Sequence, residues 1–234
     1  MLKMDRVWLL LIIPPILLAF IIMIVATYLS IINHGDRKAI HRGIVLSMPY
    51  ILIFNHAILF LILLAFIQAD GISLSTIGWQ LPSGQISIWS ESLIGLVAGL
   101  LLFCLEHFIL SPLRELAQKT IGGYQLHKSL AGNHYAWLIA VTIFAGVVEE
   151  SIYRGYAISH LSLTMGTVWA LVVSSVLFGP LHWGLGLWSM ISTMITGALL
   201  GGIFIWRQTL LSPIIAHALL NFLVTVRPFR TNIK

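Results

Sequence analysis

Three ionisable residues stand together in an otherwise apolar stretch of the chain: Glu149, Glu150 and Arg154, within the sequence VVEESIYRG that begins at Val147. Adjacent residues of a helix project about 100° apart, so the two glutamates point in different directions. Glu150 and Arg154 are four residues apart and share a helix face, which predicts an ion pair. Glu149 is then left for another partner. The alternative is that all three only lock the helix into its bundle, but an ion pair alone does not require a second glutamate.

Two later segments add histidines at helical spacing. Phe178 and His182 are four residues apart and share a face if the helix persists through Pro180, which removes one backbone hydrogen bond and is tolerated where backbone lines a cavity. His217 and Asn221 have the same spacing inside another apolar segment. Read separately, the first histidine suits an interfacial position and the second pair suits an interhelical hydrogen bond, worth only ~0.6–2 kcal/mol. A shared functional site becomes the better interpretation only when the two segments are taken together with the glutamates.

The elements that position these residues must lie in a membrane. Hydrophobic residues make up 59% of the 234 positions and charged residues only 9%, against roughly 25% charged in a typical soluble domain. A soluble fold of this composition would expose apolar surface that it could not cover. The single cysteine, Cys104, excludes an internal disulfide, and the net charge of +5 is spread over short loops. Nothing here supports binding to nucleic acid.

The hydropathy pattern predicts an all-α, polytopic transmembrane bundle of about seven or eight spans. A hydrocarbon core of ~30 Å needs about 20 apolar residues per helix. Seven segments qualify: 7–32, 44–68, 93–110, 135–158, 161–178, 187–206 and 210–226. A short or re-entrant piece around His182 would be the eighth. The stretch 71–90, rich in glycine, is expected to be an extramembrane loop with a short strand or interfacial piece. We expect one membrane domain over residues 1–234, with the chemistry in 135–226 and no motif in 1–134.

Loop charges predict the orientation. In a seven-helix arrangement one side of the membrane carries nine positive residues: Arg37, Lys38, Arg42, Arg114, Lys119, Lys128, Arg227, Arg230 and Lys234. The other side carries three: Lys3, Arg6 and Arg207. Because cytoplasmic loops are rich in lysine and arginine, the C-terminus is predicted to be cytoplasmic, with a multi-pass chain in the plasma membrane.

Other features predict packing rather than chemistry. Four polar residues inside spans are expected to make interhelical hydrogen bonds or to lie at an interface, although they could line the same cavity: Asn55, His56, Glu106 and His107. Gly197 and Gly201 form a small-xxx-small pattern in the sixth span, which allows close approach of a neighbouring backbone.

Taken together, the motifs resemble those of the family of CAAX proteases and bacteriocin-processing enzymes, which includes the type II CAAX prenyl endopeptidase. That family's pattern has three parts in order: Glu-Glu-x-x-x-Arg, Phe-x-x-x-His and His-x-x-x-Asn. They stand here as Glu149-Glu150 to Arg154, Phe178 to His182 and His217 to Asn221, and Gly155 also fits. Each motif alone is weak, whereas three in order on successive apolar segments are specific. The resemblance covers about residues 135–226.

The resemblance implies a role for each matching position. Glu149 corresponds to the general base, and His182 to a residue that helps it to activate water. His217 and Asn221 correspond to the groups that hold the oxyanion. Glu150, Arg154 and Phe178 correspond to supporting residues. The implied activity is an intramembrane endopeptidase that acts on a membrane-associated peptide or protein, such as a prenylated CAAX tail.

Zinc and two other functions are the alternatives to a glutamate-type protease. Glu149, His182 and His217 are ligand types that zinc accepts, and the family was long described as metalloproteases. The chain has no His-Glu-x-x-His, and Asn221 beside His217 suits an oxyanion site better, so no cofactor is expected. A non-proteolytic immunity or scaffold protein is the second reading, since the family includes such roles. A proton-coupled transporter is the third, but no inverted repeat supports it.

Overall fold

The computed structural model describes residues 4–80, 88–113 and 135–226. All regular structure in these ranges is helical, so the all-α prediction is confirmed. In chain order the helices are α1 (Met4–Ile32), α2 (Arg37–Asp70), α3 (Ile88–Leu105, continued by the π-helical Glu106–Leu110), α4 (Tyr135–Glu150, continued by the π-helical Ser151–Ile158 and by Ser159–Met165), α5 (Thr167–Phe178, continued by the 3-10 segment Gly179–Leu185), α6 (Leu187–Arg207) and α7 (Leu211–Val226).

The surface of the bundle is apolar, as lipid contact requires. On α1 alone, Ile16, Phe20 and Tyr28 are each more than half exposed. Five helical stretches within the described ranges are long and apolar enough to cross a membrane: Met4–Ile32, Leu46–Asp70, Ile88–Leu113, Thr167–Leu185 and Leu187–Arg207. The protein is therefore an integral membrane protein. Of the other two predicted spans, α4 carries the ionisable cluster and α7 is shorter, so these two stay predictions as spans.

The boundary between the fourth and fifth predicted segments was wrong. We expected a break after Ile158, but α4 continues to Met165 and the chain turns at Gly166. Gly166 has φ +79°, a conformation that glycine adopts at no steric cost, and it separates α4 from α5. Part of α4 is also π-helical, from Ser151 to Ile158, and π-bulges of this kind are frequent at functional sites.

The end of α5 tightens at the proline. From Gly179 to Leu185 the helix becomes 3-10, and His182 leaves helical geometry with φ −103° and ψ 17°. Gly186, with φ +92°, then allows the turn into α6. The region around His182 is therefore the last part of α5 rather than a separate short span.

Small residues set how closely the helices around α7 approach. A Cβ added at Gly95 would lie 2.8 Å from the Ser212 carbonyl oxygen, and one at Gly99 would lie 2.9 Å from that of Ala216. Larger residues at these places would push α3 away from α7. α7 also packs on α4, so the helix that carries His217 contacts both α3 and the helix that carries the glutamates.

The segment after α2 packs on the bundle. Gly71 ends α2 in the left-handed conformation, and a 3-10 turn follows at Leu74–Ile77. A Cβ at Gly155 would lie 2.6 Å from the Ile77 carbonyl oxygen, which explains why glycine suits that position. The Trp79 indole N–H donates to the Ser151 hydroxyl at 3.0 Å. The predicted loop also ends earlier than expected, because α3 begins at Ile88; its residues 81–87 lie outside the described ranges.

Two acidic residues outside α4, the buried Glu91 and the partly buried Asp70, connect helix ends. Arg207 of α6 donates to Glu91 of α3 through Nε at 3.0 Å and Nη2 at 2.6 Å. Asp70 at the end of α2 pairs with Arg6 of α1 and accepts from the Tyr156 hydroxyl at 2.6 Å.

Candidate active site

Glu150 and Arg154 form the ion pair that their spacing predicts. Arg154 Nη1 lies 2.9 Å from Glu150 Oε1. Glu150 is fully buried and Arg154 is 1% exposed, so neither charge is solvated by water. Such a pair is tolerated at membrane depth only because each charge offsets the other.

The same carboxylate also orients His217. Glu150 Oε1 lies 2.7 Å from His217 Nδ1. Arg154 Nη1 approaches the same oxygen, so Glu150 Oε1 accepts, and His217 Nδ1 carries the hydrogen that it donates. The other ring nitrogen, Nε2, is then turned toward Glu149, whose Oε2 lies 3.5 Å away. Glu150 therefore acts as an orienting group for the imidazole as well as a partner for Arg154.

Phe178 is the common support of the cationic and imidazole groups. The Arg154 guanidinium carbon lies 4.3 Å from the centre of the Phe178 ring. The rings of His182 and His217 meet Phe178 edge-on, with centroids 5.5 and 5.9 Å away. Phe178 is 1% exposed, so it cannot move without displacing these three side chains. This position gives a physical reason for the aromatic residue in the second motif.

Glu149, His182, His217 and Asn221 line one cavity of about 490 Å³. The side chains of Glu149 and His217 are buried, whereas those of His182 and Asn221 are half-buried. The four residues come from α4, α5 and α7, and the spacing within each motif brings them to the same place.

A residue that we did not assign to the site also reaches Glu149. His56 of α2 lines the cavity, and its Nε2 lies 2.9 Å from Glu149 Oε1. We expected an interhelical hydrogen bond or an interfacial position for His56. The interhelical bond is present, but its partner is the candidate base itself. A single histidine in an apolar helix offers no spacing that would have indicated this.

Part of the remaining cavity lining is polar. Glu106, in the π-helical turn of α3, belongs to it and accepts a hydrogen bond from the Ser192 hydroxyl of α6. Three more hydroxyl side chains of α6 also line the cavity: Ser189, Thr193 and Thr196. Apolar residues of α1 and α2, including Leu18 and Met48, line another part. The cavity thus offers both hydrocarbon and polar surfaces beside Glu149.

A zinc ion would take several of the same side chains as ligands. A catalytic zinc takes three protein ligands at about 2.0–2.2 Å plus water. Among residues 4–80, 88–113 and 135–226, no three His, Cys, Asp or Glu side chains are arranged to hold a metal ion. His217 Nδ1 is bonded to Glu150, and Glu149 Oε1 is in contact with His56. Glu149 Oε2 and His182 Nδ1 make no hydrogen bond among the described residues.

Part of the chain matches a known protein family. Residues 131–223 match the family model described as type II CAAX prenyl endopeptidase Rce1-like. All three motifs lie inside this segment, so the resemblance drawn from them is confirmed there. No curated protein matches the chain, and no solved structure does. At the level of the family, the match indicates an intramembrane endopeptidase of the CAAX type. His56 and Glu106 lie outside the matched segment.

Proposed function

Because residues 131–223 match the Rce1-like family model, we propose that this protein is a glutamate-type intramembrane endopeptidase. Its substrate is a membrane-associated or prenylated CAAX-type peptide or protein, bound in the cavity described above. One observation carries the proposal: Glu149 is buried at the cavity wall, and each of its carboxylate oxygens faces an imidazole nitrogen. The imidazole partners keep such a carboxylate in an apolar bundle, and the adjoining cavity gives water and a substrate access to it.

In the proposed reaction, Glu149 takes a proton from water while the water oxygen attacks the scissile carbonyl carbon. His182 helps to place that water. The carbonyl oxygen becomes an oxyanion, which is held by hydrogen bonds from His217 and the Asn221 amide. Each such donor typically contributes ~2.7–4 kcal/mol to the transition state. Glu149 then passes its proton to the amide nitrogen, the C–N bond breaks, and an acid and an amine leave. The proposal includes no metal.

The proposal also covers how the protein lies in the membrane. We propose that residues 1–234 form one membrane domain in the plasma membrane, with a cytoplasmic C-terminus. Arg37 and Lys38 support this orientation. They lie at the start of α2, where the connection from α1 ends, and this positively charged connection is assigned to the cytoplasmic side. The partners are the lipid bilayer and a peptide substrate.

Glu149→Gln tests the function. The change keeps the volume and hydrogen-bonding capacity of the side chain but removes the base. Cleavage of a farnesylated, fluorogenic CAAX peptide by purified protein should fall by ~10²–10⁴, the usual contribution of general-base catalysis, while melting stays near wild type. Glu91→Gln is the matched control, because Glu91 is a buried carboxylate that does not line the cavity. It should keep its turnover per folded molecule.

Other outcomes would favour the other functions. Wild-type cleavage by Glu149→Gln would remove Glu149 from the mechanism. An immunity or scaffold protein would keep its biological effect in the variant. A transporter would lose proton-coupled flux and would produce no cleaved peptide in either form.

A further inference from the structure

The backbone contact of His56 places a hydrogen on its Nδ1. Its Nδ1 lies 2.7 Å from the backbone carbonyl oxygen of Leu52, one turn earlier in α2. A carbonyl oxygen only accepts, so Nδ1 carries a hydrogen and donates it. His56 is 3% exposed, and its ring meets the Phe144 ring edge-on with centroids 6.5 Å apart. The imidazole is therefore held in one orientation by its own helix and by α4.

The remaining nitrogen must share a proton with Glu149. Nε2 of His56 lies 2.9 Å from Glu149 Oε1. A bare imidazole nitrogen and a bare carboxylate oxygen both accept, and two acceptors do not approach to this distance without a hydrogen between them. Either Nε2–H donates to the carboxylate, or a protonated Glu149 donates to Nε2. In both cases Oε1 is engaged, and Oε2 is left facing His217.

We propose that His56 is a positioning residue of the proposed protease: it holds Oε1 of Glu149, so that Oε2 is the oxygen that accepts the proton of the attacking water. The inference rests on the proposed function. It assigns part of the active site to α2, outside the segment that matches the family model. His56 would thereby fix both the rotation of the Glu149 carboxylate and its distance from His217.

Two substitutions of His56 distinguish the roles of its two ring nitrogens. His56→Gln places an amide nitrogen near the position of Nε2 and keeps a donor for Glu149. His56→Asn places one near Nδ1, keeps the bond to Leu52 and leaves Glu149 without this partner. A hydrogen bond to a charged group is commonly worth about 10- to 100-fold, so kcat of His56→Asn should fall by roughly that factor. KM should change less than about two-fold, and His56→Gln should keep most of the wild-type kcat.

His160 provides a matched control. It is 4% exposed, and its Nδ1 lies 2.6 Å from the Tyr156 carbonyl oxygen one turn earlier, as His56 Nδ1 does from Leu52. Its ring stacks on Tyr156, with centroids 4.1 Å apart, and it does not line the cavity. His160→Asn and His160→Gln should therefore leave kcat unchanged. If His56→Asn does not accumulate, His56→Met replaces it, because methionine fills the space and donates nothing.

Infrared spectra test the contact without any substrate. In protein labelled at the glutamate carboxyl carbons, the band that is missing from Glu149→Gln belongs to Glu149. That band should shift in His56→Asn, shift less in His56→Gln and stay in place in the His160 variants. A wild-type protein that cleaves nothing would refute the proposed function, and the infrared band alone would then decide the His56–Glu149 contact. Equal kcat in His56→Asn and His56→Gln, or an unmoved band in His56→Asn, would overturn the inference.

Discussion

Gly197 on α6 should influence the active site although it carries no side chain. A Cβ added there would lie 3.1 Å from Arg154 Nη2 and 3.1 Å from Phe178 Cδ1. This is closer than ordinary van der Waals contact, so one of the two side chains must move by a few tenths of an ångström. Both belong to the cluster that supports His182 and His217. Gly197→Ala therefore perturbs the site indirectly, through the packing of Arg154 and Phe178.

The expected magnitudes follow from these contacts. Overpacking a well-packed interior costs ~1–3 kcal/mol, and replacing a helical glycine by alanine returns about 0.5–1 kcal/mol. Gly197→Ala should thus be destabilised by roughly 0–2.5 kcal/mol. A misplacement of about 1 Å can cost 10²-fold in rate, so a shift of a few tenths should lower kcat by roughly 3- to 10-fold.

Two neighbouring glycines of α6 separate these effects. At Gly202 no atom of the described residues lies within 4 Å of an added Cβ, so Gly202→Ala should gain slightly in stability and keep its kcat. At Gly201 the added atom would lie 2.4 Å from Leu171 Cδ1, so Gly201→Ala should lower the melting temperature without changing kcat. Thermal unfolding measures the change in stability, and peptide turnover per folded molecule measures the change in kcat. If Gly197→Ala turns over as fast as Gly202→Ala, Phe178 does not transmit packing to the histidines.

Three further outcomes are expected. Arg154→Ala should lose about 3–5 kcal/mol of stability, because it leaves the fully buried Glu150 uncompensated; melting and expression equal to wild type would show that the pair contributes nothing. Chelators should leave cleavage unchanged and washed protein should lack stoichiometric zinc, whereas chelator-sensitive cleavage with bound zinc would replace the glutamate-type mechanism. In a Cys104→Ser background, cysteines placed at Ser83 and Lys119 should react with an impermeant reagent from opposite sides of the membrane, and labelling of both from one side would refute the orientation.

Hydropathy predicted the helices well and one boundary badly. Apolar runs report where the chain avoids water, and they located α1 and α6 to within three residues at each end, whereas α2 begins at Arg37, seven residues before its predicted start. They do not report where a helix turns inside the bundle. The turn at Gly166 depends on a single positive φ, and the π-helical Ser151–Ile158 bonds one residue further along the chain than an α-helix does. A single residue and a stretch of eight residues are too short for hydrophobic periodicity to reveal these features.

The candidate site was predictable where its residues are linked by helical spacing. Glu150 and Arg154 are four residues apart and pair across one turn, as any i,i+4 pair can. His56 and Glu149 are 93 residues apart, and their contact depends on how α2 packs on α4. The same holds for Glu91 and Arg207, 116 residues apart. Contacts of this kind follow from helix packing, which spacing within one segment does not encode.

The arrangement of charges explains why the N-terminal helices matter to a site whose motifs lie elsewhere. Glu150 is balanced by Arg154 within the matched segment. Glu149 has no cation from its own helix in contact, and its two oxygens instead meet His217 from α7 and His56 from α2. A carboxylate at this depth needs such partners in order to remain there. α3 packs closely on α7 through Gly95 and Gly99, whereas α7 approaches the helix of the glutamates at Gly146. Thus residues 131–223 carry the three motifs, and α2 supplies a partner for Glu149 from outside that segment.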